Sequence, residues 1–138
     1  MSLTSLTRPL LAIIALSFSG ICFAQTFSCP DKTESSSALV DDYPEWKAFA
    51  DTRPHQFNRI SLTAGPPEQE AFLVPDTSTK MQIGWNLNAG QQYWAVCHYL
   101  SSSIRLVQQL PANLKQCSVR FIPVGGKATQ QDHRLVCK

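Results

Sequence analysis

The sequence predicts a mainly β or α+β fold: a small antiparallel sheet of about six strands, one short helix and two disulfides. Three observations carry this. Several short runs alternate between apolar and polar residues, as half-buried strands do, and turn signals separate them. One run, Tyr93–Leu100 (YWAVCHYL), is apolar on both faces and therefore suits the centre of a sheet covered on two sides. Four cysteines follow an N-terminal segment with the features of an export signal, and an even count in a small exported domain implies disulfide cross-links.

That leader comes first in the chain. Arg8 is the only positive charge before Lys32, and it precedes the apolar run Leu10–Phe18 and the small-residue stretch ending at Ala24. A lone positive charge, a short apolar core and small residues before a cut site define a secretory signal peptide. The expected cleavage follows Ala24, giving residues 1–24 as signal and 25–138 as a single disulfide-stabilised periplasmic domain. The apolar run falls well short of the roughly 20 residues that span a bilayer, so no membrane anchor is expected. Ile21 is too bulky at the position where lipid attachment to Cys22 would require a small residue.

The domain so defined has 114 residues and nearly balanced charge, with 11 Lys and Arg against 10 Asp and Glu. Nucleic acid is excluded as a natural partner by this balance, since phosphate binding needs a concentrated basic surface. Cys29, Cys97, Cys117 and Cys137 allow three pairings. The leading choice is Cys97–Cys117 with Cys29–Cys137, although in a plain meander Cys97 and Cys117 would lie two strands apart, beyond disulfide reach. With no Cys-x-x-Cys and no paired histidine spacing, no metal is expected.

Gln25–Pro30 reads as a short strand or arm anchored by Cys29, and the Ser-rich stretch 31–37 as a linker. Asp42, Pro44 and Glu45 form a helix start, with Asp42 as cap and Glu45 closing a capping box. The short helix would end near Asp51 and pack Trp46, Phe49 and Ala50 on the sheet. Asn58–Ala64 alternates cleanly and is a half-buried strand. Gly65–Thr79 then runs without a convincing element, which is unusual in a compact domain and often functional. It carries Glu68, Glu70, Phe72 and Leu73, and is either a protruding contact loop or an edge strand with Phe72 and Leu73 in the core. Lys80–Asn88 alternates with Met81, Ile83, Trp85 and Leu87 inward. The turn Asn88–Gly90 is expected to join it to Tyr93–Leu100 as an antiparallel hairpin. Ile104–Leu110, Gln116–Val124 (broken by Pro123) and His133–Cys137 complete the sheet.

No catalytic constellation is visible. His55, His98 and His133 are scattered, Asp132-His133 is a neighbouring pair, and Cys97 and His98 point to opposite faces of one strand. The cysteines have disulfide partners, so no free nucleophilic thiol is expected. Asp41-Asp42 and Glu68/Glu70 as paired carboxylates are commoner as solvated loop acids. The chain is therefore read as a non-enzyme without cofactor. A rigid, disulfide-tied sheet presents a fixed surface at low ordering cost. The candidate partner-binding residues are Glu68, Glu70, Phe72, Trp94 and His98, with Phe72 and Trp94 as anchors and the two glutamates steering a basic partner.

Residues Leu62–Glu68 (LTAGPPE), Leu73–Asp76 (LVPD), Tyr93–Tyr99 (YWAVCHY), Leu110-Pro111 and Cys117 occur in an order that resembles a family of small, largely uncharacterised exported proteins of Gram-negative bacteria. Some of its members lie in type VI secretion regions. The resemblance covers most of the expected mature chain, from Cys29-Pro30 to Cys117, and implies a periplasmic location, no established activity, and a role as an immunity protein that neutralises a secreted toxin. The partner is then an effector toxin. A lysozyme inhibitor or an envelope ligand-binding module is the alternative, with a lysozyme-like hydrolase as partner in the former case.

Overall fold

The computed structural model describes residues 23–34, 53–126 and 128–138. Nine strands run through them: β1 (Gln25–Ser28), β2 (Lys32–Thr33), β3 (His55–Ala64), β4 (Thr77–Ser78), β5 (Gln82–Asn86), β6 (Tyr93–Tyr99), β7 (Arg105–Gln109), β8 (Gln116–Val124) and β9 (Ala128–Cys137). All pairings are antiparallel. They form a five-stranded sheet in the order β1-β9-β8-β5-β4 and a four-stranded sheet in the order β2-β3-β6-β7. The helix expected from Asp42 to Asp51 lies outside the described residues. Within them the one helical element is a 3-10 turn at Pro67–Gln69.

Alternation explains why the two sheets stack. Each inner strand carries one apolar face: Phe57, Ile60 and Leu62 on β3, Tyr93, Ala95 and Tyr99 on β6, Ile83 and Trp85 on β5, Cys117 and Val119 on β8, Leu135 and Cys137 on β9. All are buried in one core cluster between the sheets. Leu62, Val119 and Leu135 are wholly inaccessible to solvent. A register irregularity in β3 between Phe57 and Arg59 keeps Phe57 and Ile60 on the same face although they are three residues apart. There the backbone is satisfied from the other sheet: Ile60 N donates to Gln131 Oε1 at 2.8 Å, and Gln130 Nε2 donates to Phe57 O at 3.3 Å. Side chains from β9 thus cover a stretch of β3 that strands β2 and β6 leave open.

Three expectations are corrected. The stretches Lys80–Asn88 and Tyr93–Leu100 do not pair with each other. β5 lies between β4 and β8, β6 lies between β3 and β7, and the turn at Asn88–Gly90 carries the chain from one sheet to the other. Facing across the core buries the apolar sides of both strands. The crossing is held by Leu87 N donating to Lys115 O (2.7 Å) and Asn88 N donating to Tyr93 Oη (2.9 Å). Met81, expected inward, is 70% exposed, because it sits in a turn where Thr79 Oγ1 accepts from the Met81 and Gln82 amides.

The disulfide pairing also differs: the bonds are Cys29–Cys97 and Cys117–Cys137. Cys97 and Cys117 belong to different sheets, and Cys137 is the direct cross-strand neighbour of Cys117. Gln116 and Lys138 exchange both backbone bonds, at 3.0 and 2.9 Å, so the adjacent Cys117/Cys137 pair is the close, non-hydrogen-bonded kind, with a Cα separation of 4.1 Å. Cys29–Cys97 instead ties the end of β1 to β6 and so joins the two sheets.

The Cys29–Cys97 bond closes a sequence separation of 68 residues and Cys117–Cys137 one of 20. In the chain-entropy description these correspond to about 4 and about 3 kcal/mol. Replacing Cys29 and Cys97 together by Ala should therefore lower unfolding free energy in urea more than replacing Cys117 and Cys137. A non-reducing peptide map should recover Cys29 with Cys97.

Candidate partner-binding face

The outward side of the four-stranded sheet is laid out by strand register. Pairing sets Arg59 against His98, Ser61 against Val96 and Thr63 against Trp94, and on the other flank His98 against Arg105, Val96 against Val107 and Trp94 against Gln109. These alternate with the inward core residues, so they share the outer face. Val96 and Thr63 are nevertheless buried. Thr63 is satisfied by its Oγ1 donating to Gly65 O at 3.0 Å.

The loop after β3 adds to this face. Gly65 takes a φ of +89°, Pro67–Gln69 makes the 3-10 turn, and Glu70 adopts a left-handed conformation with φ of 53°. The chain then returns along β3: Ala64 N donates to Ala71 O and Leu73 N to Leu62 O, with Phe72 bridging to Thr63. Both sequence readings of this stretch are realised in part. Leu73 packs against the core as an edge strand would, while Phe72 points outward and stays 38% exposed.

Phe72 is the centre of a preassembled group. Its ring lies 5.8 Å from that of His98, and the Arg105 guanidinium stands 5.4 Å from the ring centroid. Arg105 Nη1 also pairs with Glu70 Oε1 at 3.3 Å. His98 Nε2 lies 2.7 Å from Ser61 Oγ. Three of the expected residues, Glu70, Phe72 and His98, are thus brought together. Glu68 sits on the exposed 3-10 turn apart from them. Trp94 lies on the same face, four residues along β6 from His98 and hence roughly 13 Å away. It is half-buried, and its Nε1 has no hydrogen-bond partner among the described residues. Sequence reading missed Ser61 and Arg105. Both occupy polar positions of alternating runs, and only the cross-strand register reveals what they meet.

Burial first, then the charges of Arg59 and Arg105, pushes the His98 pKa down to about 4. The imidazole is neutral at physiological pH and a weak base. Its contact with Ser61 has the outline of a nucleophile and base, but among the described residues no carboxylate orients the ring, as acyl-transfer chemistry would need. No group of His, Cys, Asp and Glu suited to a metal ion is assembled among the described residues. On the other sheet Asp132, with its side chain 7% exposed, is gripped by Arg134 through Nε and Nη2. Hydrogen bonding to that guanidinium holds its carboxyl below the usual range.

The described residues define the class of the protein as a disulfide-linked sandwich of two antiparallel sheets. The family comparison specifies it: the sequence model of the Type VI secretion system Tli immunity protein family matches residues 51–138, and the chain belongs to that family. No curated protein and no solved structure matches the chain. Membership supports an immunity role, a non-enzymatic one, with an effector toxin as protein partner. The family and the two disulfides are compatible with a periplasmic location. No helix of the described residues is long and apolar enough to cross a membrane.

Since folding keeps His98 neutral, its pKa lies below the unfolded value of 6.5. The unfolded chain then binds more protons between about pH 6.5 and about pH 4, so stability should fall as pH drops through that window and be unaffected by this group above it. An NMR titration should place the His98 midpoint near the lower limit. His98→Gln should flatten the stability profile there.

Proposed function

We propose that this protein neutralises a secreted toxin in the periplasm by occluding its active site, using the outer face of the four-stranded sheet. In this reading the chain is exported through a signal peptide removed after Ala24. The toxin acts on the cell wall or the membrane. Phe72 and Trp94 are the anchors that the partner buries, Glu68 and Glu70 contribute charge at the rim, and His98 supports the Phe72 ring from below. The observation carrying the proposal is the state of Phe72: a large aromatic ring, part exposed, already ordered between Arg105 and His98. Aromatic side chains held in place before binding lose little entropy on association, and such residues dominate interface energetics. Glu70 enters the interface already paired with Arg105, so the glutamate and the arginine would be presented together.

The test is to recover the tagged protein from the periplasm of cells with active type VI secretion and identify what accompanies it. An effector toxin supports the reading, whereas a lysozyme-type hydrolase or the absence of any protein contradicts it. Phe72→Ala should then weaken the complex by roughly 10- to 100-fold, as loss of an interface anchor does, and leave the melting temperature unchanged. A variant that unfolds would assign Phe72 to the core instead.

A further inference from the structure

The edge of the four-stranded sheet beside this face has a set of backbone groups without partners among the described residues. Leu110 N donates to Tyr93 O at 2.9 Å, and the β6–β7 register continues from that pair through Trp94/Gln109, Ala95/Gln108, Val96/Val107, Cys97/Leu106 and His98/Arg105. Antiparallel ladders alternate, so Leu106 and Gln108 turn their amides and carbonyls toward β6. Arg105, Val107 and Gln109 turn theirs away from it, and among the described residues nothing pairs with them. All five residues of β7 are exposed, including Val107 at 45%. Folded proteins blunt such edges with lysine, proline, bulges or a covering loop. β7 carries no lysine or proline, and its pairing with β6 shows no register shift.

Below this edge the sandwich is open. A cleft of about 110 Å³ lies between β7 and β1, lined by Phe27, the Cys29–Cys97 bridge, Leu106 and Leu135 among others. An apolar cavity of about 150 Å³ admits a benzene ring; this smaller cleft, whose wall also carries Ser28 and Gln108, has room for a single branched aliphatic side chain.

We propose that β7 accepts an added strand: an extended segment of the effector pairs with Arg105, Val107 and Gln109 and directs an aliphatic side chain into the cleft beside the Cys29–Cys97 bridge. The inference rests on the reading that the partner is an effector toxin and specifies how it is held. Main-chain pairing supplies affinity in this mode and the side-chain pocket supplies selectivity. Two features favour the effector as occupant. The family's partner is a protein, and the edge is continuous with the proposed contact face through Arg105, which sits on β7 and over Phe72. A second copy fits less well: two-fold pairing about Val107 sets Gln108 of one chain against Leu106 of the other, adding a second amide to a cleft that Gln108 already lines.

Amide hydrogen exchange, resolved by NMR, tests this with the effector recovered above, purified in an inactive form. In the free protein Leu106, Gln108 and Leu110 should be protected while Arg105, Val107 and Gln109 exchange freely. Adding effector should slow those three by at least about tenfold, as closed hydrogen bonds do. Val107→Pro removes one outward donor without touching the β6 ladder, a placement proline tolerates on edge strands. It should weaken binding by roughly 10- to 100-fold with an unchanged melting temperature. Unaltered exchange at the three amides in the complex would overturn the proposal, as would wild-type affinity of Val107→Pro, or a free protein that is dimeric with these amides protected. Where the variant fails to fold, the wild-type exchange pattern decides. Should Phe72→Ala weaken the complex while β7 stays open, the contact face stands and strand addition falls. Failure to recover any effector removes both.

Discussion

The ladder between β3 and β6 is the constraint on which the rest depends. It pairs Ile60 with Cys97 and Leu62 with Ala95 on the side that faces the core, and Arg59 with His98 and Thr63 with Trp94 on the other. Core and candidate contact face are therefore two sides of one set of backbone bonds. Because side chains alternate with a period of two, a slip of one residue would send Ile60 and Leu62 to solvent and Ser61 and Thr63 into the interior. The β3 irregularity at Phe57/Arg59 and the two glutamines of β9 that reach across to it oppose such a slip.

Much of the architecture was legible because it lives in local periodicity. Gln116–Val124 is a strand over its expected span, although Pro123 stays paired with Thr129 and does not break it, and the arm at Gln25–Pro30 forms β1. Tyr93–Tyr99 is an interior strand, as its two apolar faces require. Pairing was less accessible. The short turn at Asn88–Gly90 reads as a hairpin because Gly90 supplies a positive φ, yet such a turn equally serves a chain changing sheets. Which of the two occurs depends on β8, some thirty residues downstream. The cysteines illustrate the same limit, since their partners follow from strand order, which spacing alone does not encode.

For the contact face the types of residue were readable and their company was not. An aromatic among acids and prolines marks the loop after β3 as unusual. That Phe72 rests on His98 and beneath Arg105 depends on the loop folding back along β3 and on the β6–β7 register together. Arg105, the residue connecting loop, face and edge, has no distinguishing sequence context. Its importance is entirely one of position.

The two sulfur bridges have a consequence for timing. Their combined contribution is comparable to the whole net stability of a domain this size, typically about 5–15 kcal/mol. A chain in a reducing environment would have to hold the two sheets together by burial and by a few bonds such as those from Gln130 and Gln131 to β3, with β1 untethered from β6. It would remain looser until oxidation locks it. A chain kept in a reducing compartment would therefore present a less rigid surface than one whose thiols are oxidised.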